Sequence, residues 1–155
     1  MGNRAVISFK CEGVPKEYSP SIYLHWNGGR DSIEGFLKAH KIADFRNGDY
    51  GIARLIQLIT NWFGGGLSVG VGVYCQMDTD NGDNGVYWIN PKTFEIVDRE
   101  FKRYKEQLAY NVQEFAVDVL EKSNLATPEE IKRKQEQSEN NWVDLRATYH
   151  TKKAV

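Results

Sequence analysis

Cysteine is scarce in this chain: Cys11 and Cys75 are the only two in 155 residues. Their wide separation excludes a disulfide framework and a cysteine-based zinc site. Each lies in a strand-like run, so both are expected to be reduced and to pack as small hydrophobes. Excess charge of either sign is also missing, with 20 Lys and Arg against 21 Asp and Glu for a net charge of −1. General nucleic-acid binding needs a clear basic excess and a DNA mimic needs an acidic one, so neither is expected. No window approaches the roughly 18 consecutive apolar residues of a membrane span. The start, Met1-Gly-Asn-Arg4, has no apolar leader, and Val6 stands where myristoylation requires Ser or Thr. A cytoplasmic protein without membrane partners is the expectation. The three histidines, His25, His40 and His150, are dispersed and suggest neither a triad nor a metal triplet. No cofactor or metal is expected.

The apolar share of 41% is enough for one substantial core. Arg4 to Lys10 and Ser21 to Trp26 read as strands, separated by a loop with Gly13, Pro15 and Pro20. Asp31-Ser-Ile-Glu34 has capping-box spacing, and Ile33, Phe36 and Leu37 follow on one helix face, with His40 continuing it. Asp49 is expected to cap a second helix, in which Ile52, Leu55, Ile56, Ile59, Trp62 and Phe63 make the core face. Gly64-Gly-Gly66 ends it. Leu67 to Met77 alternates, with Gly70 and Gly72 forming a bare face open to close approach. Asn81-Gly82 and Asn84-Gly85 signal hairpin turns before the Val86 to Ile89 strand, and Phe94 to Val97 adds a short further strand. A stripe of Tyr104, Leu108, Val112, Phe115 and Val119 predicts a helix from about Tyr104 to Lys122. Thr127-Pro-Glu-Glu130 starts another that is almost wholly polar to Asn141.

The fold expected is α+β, an antiparallel sheet of about five strands covered by two helices, with one or two further C-terminal helices. Residues 1–124 form the domain, and 125–155 a polar helical extension. Lys132 to Glu139 mixes both charges and reads as a solvated helix face.

The segment Tyr23-Leu-His-Trp-Asn-Gly-Gly-Arg30 is the densest in binding chemistry. Tyr23, His25, Trp26, Asn27 and Arg30, joined by Arg54, are the candidate binding residues. A glycine-containing turn entering a helix can offer backbone N–H groups to an anion, with Arg30 as a clamp, although a capping Asp31 would compete. Asp78, Asp80, Asn81, Asp83 and Asn84 have the composition of a calcium loop. Gly82 and Asp83 stand in the reverse of the EF-hand order, and Ile89 falls where its final Glu belongs. In the extension, Trp142, Leu145 and Tyr149 are candidate partner-binding anchors.

Gly2-Asn-Arg-Ala-Val6, Tyr23 to Ser32, Tyr50-Gly51, Ala53-Arg54, Asn61, Phe63-Gly64-Gly65, Ser68-Val69-Gly70 and Asp83-Asn84-Gly85-Val86-Tyr87 together resemble an uncharacterised family of small proteins from bacteriophages, prophages and other mobile elements. The likeness covers about residues 2–99. It implies an accessory protein acting in the host-cell cytoplasm, by binding a host defence protein or a nucleotide-type signal and inhibiting it. Two other readings stay open. One is a small nucleotide-acting hydrolase or transferase using His25, with Arg30 or Arg54 in support. The other is a virion or structural assembly protein. Self-association is also left open.

Because the polar stretch after Lys132 buries little, truncation after Asn124 is expected to leave a folded domain and to weaken partner binding or self-association more than folding. Circular dichroism and sizing of the truncated protein check this. An unfolded or aggregated product would show that the tail completes the core.

Overall fold

The described residues include, in chain order, β1 (Ala5–Phe9), β2 (Pro20–Leu24), α1 (Arg30–Ile42), α2 (Gly48–Phe63), β3 (Val69–Val73), β4 (Val86–Ile89), β5 (Ile96–Glu100) and α3 (Val112–Ser123). The computed structural model describes residues 2–137 apart from 66, 67, 104, 107, 126, 128, 131, 134 and 135. The expected anchors Trp142, Leu145 and Tyr149 lie outside the described residues. The class is α+β, with strands and helices in runs and not in βαβ alternation.

The sheet runs β3-β2-β1-β4-β5 and is mixed. β1 pairs antiparallel with β2, Ile7 opposite Ile22, and parallel with β4, Ile7 opposite Tyr87. The expectation of a purely antiparallel sheet is therefore corrected. Its cause is the β3–β4 connection, which does not turn back as a hairpin. Tyr74 leaves β3 bonded to Ser19 O and stacks on Trp88 of β4, with ring centroids 5.2 Å apart. The connection thus crosses the sheet before β4 enters beside β1. Asn81 organises the crossing. It is buried, its amide donates to Asp78 O and Gly85 O, and its carbonyl accepts from Asp83 N and Gly85 N. The two Asn-Gly dipeptides shape this loop; they do not close a two-residue hairpin.

All of β1 is buried. Ala5, Ile7 and Phe9 join Ile22, Leu24, Tyr87 and Ile89 on the face that meets the helices. Val6, Val86 and Trp88 form a smaller cluster on the other face, packed by Tyr23, Tyr74 and Met77. The helical layer meets the main core through Ile33, Phe36 and Leu37 of α1, Leu55, Leu58 and Ile59 of α2, and Phe115, Val119 and Leu120 of α3. α3 packs against both other helices. It comes so close to α1 at Gly35 that a Cβ there would sit 2.2 Å from the Phe115 ring.

Further expectations change: Asn47 and not Asp49 is the N-cap of α2, and β5 runs Ile96–Glu100, leaving out Phe94. α3 begins at Val112, not near Tyr104, and the described residues of 101–111 are not helical. Leu108, read as part of the stripe, is exposed. β3 ends at Val73, and residues 74–76 form a 3-10 turn in which Cys75 is exposed, while Cys11 is half-buried against the core. The bare face at Gly72 is met by the Gln76 and Met77 side chains and so serves packing. In the extension, Thr127 Oγ1 accepts from Glu130 N at 3.2 Å, the capping its spacing predicts. No helix of the described residues is long and apolar enough to cross a membrane.

Leu55 is fully buried on the core side of α2. Leu55→Ala is expected to destabilise by about 2–5 kcal/mol in urea denaturation, from lost transfer energy plus the cavity left behind. An unchanged midpoint would mean the buried face of α2 is misassigned.

Candidate functional site

Strand alternation places Tyr23 and residue 25 on the same side of β2, the side away from the helices. Tyr23 Oη and His25 Nδ1 lie 3.2 Å apart. The His25 ring stands edge-on to Trp26, centroids 5.2 Å apart at 82°. Trp26 keeps 44% of its surface exposed. The backbone beneath this ledge is held from both sides: Asn3 N donates to His25 O, and His25 N donates to Ser68 O at 2.8 Å. Burial raises the Tyr23 phenol, with Asp78 and Asp83 adding to the rise and Arg4 opposing it, so the phenol stays protonated.

Arg4 and Asp83 lie beside this ledge, and their pairing is not visible in the sequence. Arg4 Nε meets Asp83 Oδ2 at 2.8 Å, and Arg4 N donates to the same oxygen. Burial pushes the Asp83 carboxyl up, but the hydrogen bonds from Arg4 outweigh it and hold the group below its ordinary value. Next to it, the Asn84 amide donates to Asn3 Oδ1 and Arg4 O. These partners are some eighty residues apart in the chain, so no local spacing could have revealed them. The only signal was that both segments carry the family-like motifs.

The Asn27-Gly-Gly turn is committed to the fold. Asn27 takes a left-handed φ of 57°. Gly28 N donates to Asn3 O at 2.8 Å, and Gly28 O accepts from the buried Tyr87 hydroxyl at 2.7 Å. A Cβ on Gly28 would lie 2.5 Å from Asn3 O and 2.7 Å from the Ala5 Cβ.

The expected Asp31 cap does not form. Gly29 is the N-cap of α1, without a side-chain bond, and Asp31 sits inside the first turn, 3% exposed. One of its oxygens accepts from Ser32 N at 2.8 Å; the other accepts from Ala109 N at 2.7 Å and Tyr110 N at 2.8 Å. The carboxylate thus ties the segment leading into α3 to the start of α1. At the helix start an anion would have to compete with this carboxylate for Ser32 N.

The two arginines separate from the aromatic ledge. Arg30 faces outward on α1, 3.5 Å from both Glu34 and Glu106. Burial raises the Glu106 carboxyl, but Arg99, Lys102 and Arg30 together bring it below its ordinary value. Arg54 bonds Gln57 on the exposed side of α2. Tyr23, His25 and Trp26 are therefore brought together, Asn27 shapes the turn with its amide 3.5 Å from Ser32 Oγ, and Arg30 and Arg54 belong elsewhere.

Either the Tyr23 hydroxyl or His25 Nδ1 can be the donor in their contact, and His25 Nε2 lies close to Gly2, 3.4 Å from where a Cβ on that residue would stand. No carboxylate orients the ring and no nucleophile bonds it among the described residues. No group of three potential metal ligands occurs among the described residues. Comparison with protein-family models, curated proteins and solved structures finds no match to this chain.

Gly28→Ala is expected to destabilise by about 1–3 kcal/mol through overpacking. Asp31→Ala should cost about 2–4 kcal/mol by stranding the Ala109 and Tyr110 N–H groups. Chemical denaturation of both variants checks this, and wild-type stability in either would show that the clamp is dispensable.

Proposed function

We propose that this chain is an accessory protein of a phage or other mobile element that acts by binding, without catalysis, and inhibits a host defence protein or a nucleotide-type signal. One observation carries the reading. Four segments that bear the family resemblance, at residues 2–6, 23–32, 68–70 and 83–87, converge on one end of the sheet. They meet through Asn3–His25, Gly28–Asn3, His25–Ser68, Arg4–Asp83 and Tyr87–Gly28 hydrogen bonds. What that framework presents is Trp26, half-exposed and braced edge-on by His25, on a ledge whose Tyr23 phenol lies near the Arg4–Asp83 pair. A rigid aromatic with a charged rim is the composition of an interface hot spot, and bracing lowers the entropy lost on binding.

The nucleotide-acting enzyme remains the second reading, favoured only by the Tyr23–His25 contact. Variants separate the two. Proteins and small molecules that co-purify with the tagged chain from the host bacterium are quantified for wild type, Trp26→Ala and His25→Ala. Trp26→Ala should weaken capture of the specific partner by 10-fold or more. His25→Ala should retain inhibition with a partial loss, since one imidazole contact is worth about 1–3 kcal/mol. Complete loss of activity in His25→Ala, with fold and partner affinity intact, would replace the binding reading with the enzymatic one.

A further inference from the structure

Away from the aromatic ledge, an open groove of about 450 Å³ lies between the end of α1, the start of α2 and the β4–β5 turn. That is within the size range of small-molecule sites. Its cationic lining is Lys41, Arg46 and Lys92, with Asp44 the one carboxylate among the lining residues. This concentration stands out in a chain whose net charge is −1.

The three cations are not equally committed. Lys41 has a loose partner, Glu95, at 3.6 Å. Arg46 rests over the exposed Tyr50 ring at 4.4 Å, an aromatic contact that leaves its N–H groups free to donate at the ring's edge. No carboxylate lies within ion-pair distance of Arg46 or Lys92 among the described residues. Asn47 also lines the groove and is the N-cap of α2, where no side chain supplies a capping bond. The positive end of that helix adds to the potential of the rim, opposed by the charge of Asp49 in its first turn.

The walls are fixed before any ligand arrives. Gly48 N donates to Pro91 O at 2.8 Å and joins the α2 side to the β4–β5 turn. His40 forms part of the floor, stacked on Phe94 at 4.0 Å and bonded through Nε2 to Gly51 O at 2.9 Å. Burial keeps that imidazole neutral, so it acts as packing and not as a fourth charge. Asp44 and Phe94 hold left-handed backbones, with φ of 57° and 54°. For a bulky residue such as Phe94 this is costly, and strain of this kind persists only where the surroundings over-determine it.

We infer that this groove binds the phosphate group of a small phosphorylated molecule of nucleotide size, with Arg46 and Lys92 as its main contacts and Lys41 in support. Arg46 supplies a planar fork matched to phosphate oxygens, and the lysines supply point charges. The site is separate from the Tyr23–Trp26 surface and stands whether or not that surface binds a partner.

Calorimetric titration of the full chain with adenosine, adenosine monophosphate, adenosine triphosphate and inorganic phosphate tests the inference at low salt. The probes sample ring, phosphate and both together. The phosphorylated probes should bind at least 10-fold more tightly than adenosine. Arg46→Gln combined with Lys92→Gln should weaken them by 10-fold or more. Binding of inorganic phosphate alone assigns the site to the anion; a further gain with the nucleotides assigns part of it to the ring. Both changed side chains are exposed, and an unaltered melting temperature confirms that the variant folds. Absence of binding at millimolar concentration, equal affinity for adenosine and its phosphates, or unchanged affinity in the double variant overturns the inference.

Discussion

β1 is paired on both edges and buried on both faces, and the remaining architecture answers to that constraint. A strand in this position leaves no side chain in water, so each face requires a cover. On one side the helices meet Ala5, Ile7 and Phe9. On the other the β3–β4 connection lays Tyr74 and Met77 over the Val6, Val86 and Trp88 cluster. Burying each large apolar side chain supplies about 1.5–3 kcal/mol, but only if both covers are in place. The second face of the sheet also carries polar groups, and they are satisfied there. Ser8 and Ser21 hydroxyls bond each other at 2.7 Å, and Trp88 Nε1 donates to Glu100.

The same crossing positions the candidate surface. It brings the loop around Asp83 against Arg4, which in turn lies next to the Tyr23–His25 ledge. Asp31 does a parallel service on the helical side, where its carboxylate receives two backbone N–H groups ahead of α3. An ionised acceptor makes stronger hydrogen bonds than a neutral one, which suits a position that must hold an irregular segment in place. The presented aromatic surface is a consequence of how two long connections are anchored to the sheet.

Local periodicity carried much of the fold. β1, β2, α1 and α2 were legible because each has an unmixed pattern, such as Ile52, Leu55 and Ile59 on one helical face. The parallel β1–β4 pair was not legible, because an Asn-Gly dipeptide looks the same in a hairpin and in a loop organised by a buried Asn81. The long C-terminal helix was overextended because Leu108 matched the stripe. Its neighbours Ala109 and Tyr110 instead give their N–H groups to Asp31, a tertiary contact that no window contains. The site divides in the same way. Tyr23, His25 and Trp26 are near one another in sequence and in space. Arg30 was sequence-near as well, but the helix turns it outward, and Arg4–Asp83 is a pairing that only the folded chain creates.

β1 is the enclosed centre on which both covers, and hence the candidate surface, depend. Amide hydrogen exchange of the native protein tests it most directly. The amides of β1 should exchange only through global unfolding, with a free energy equal to that from denaturant titration, whereas those of the edge strand β3 should exchange through smaller local openings. Exchange in β1 as fast as in β3 would contradict the account, because it would mean that one face of the sheet is not closed.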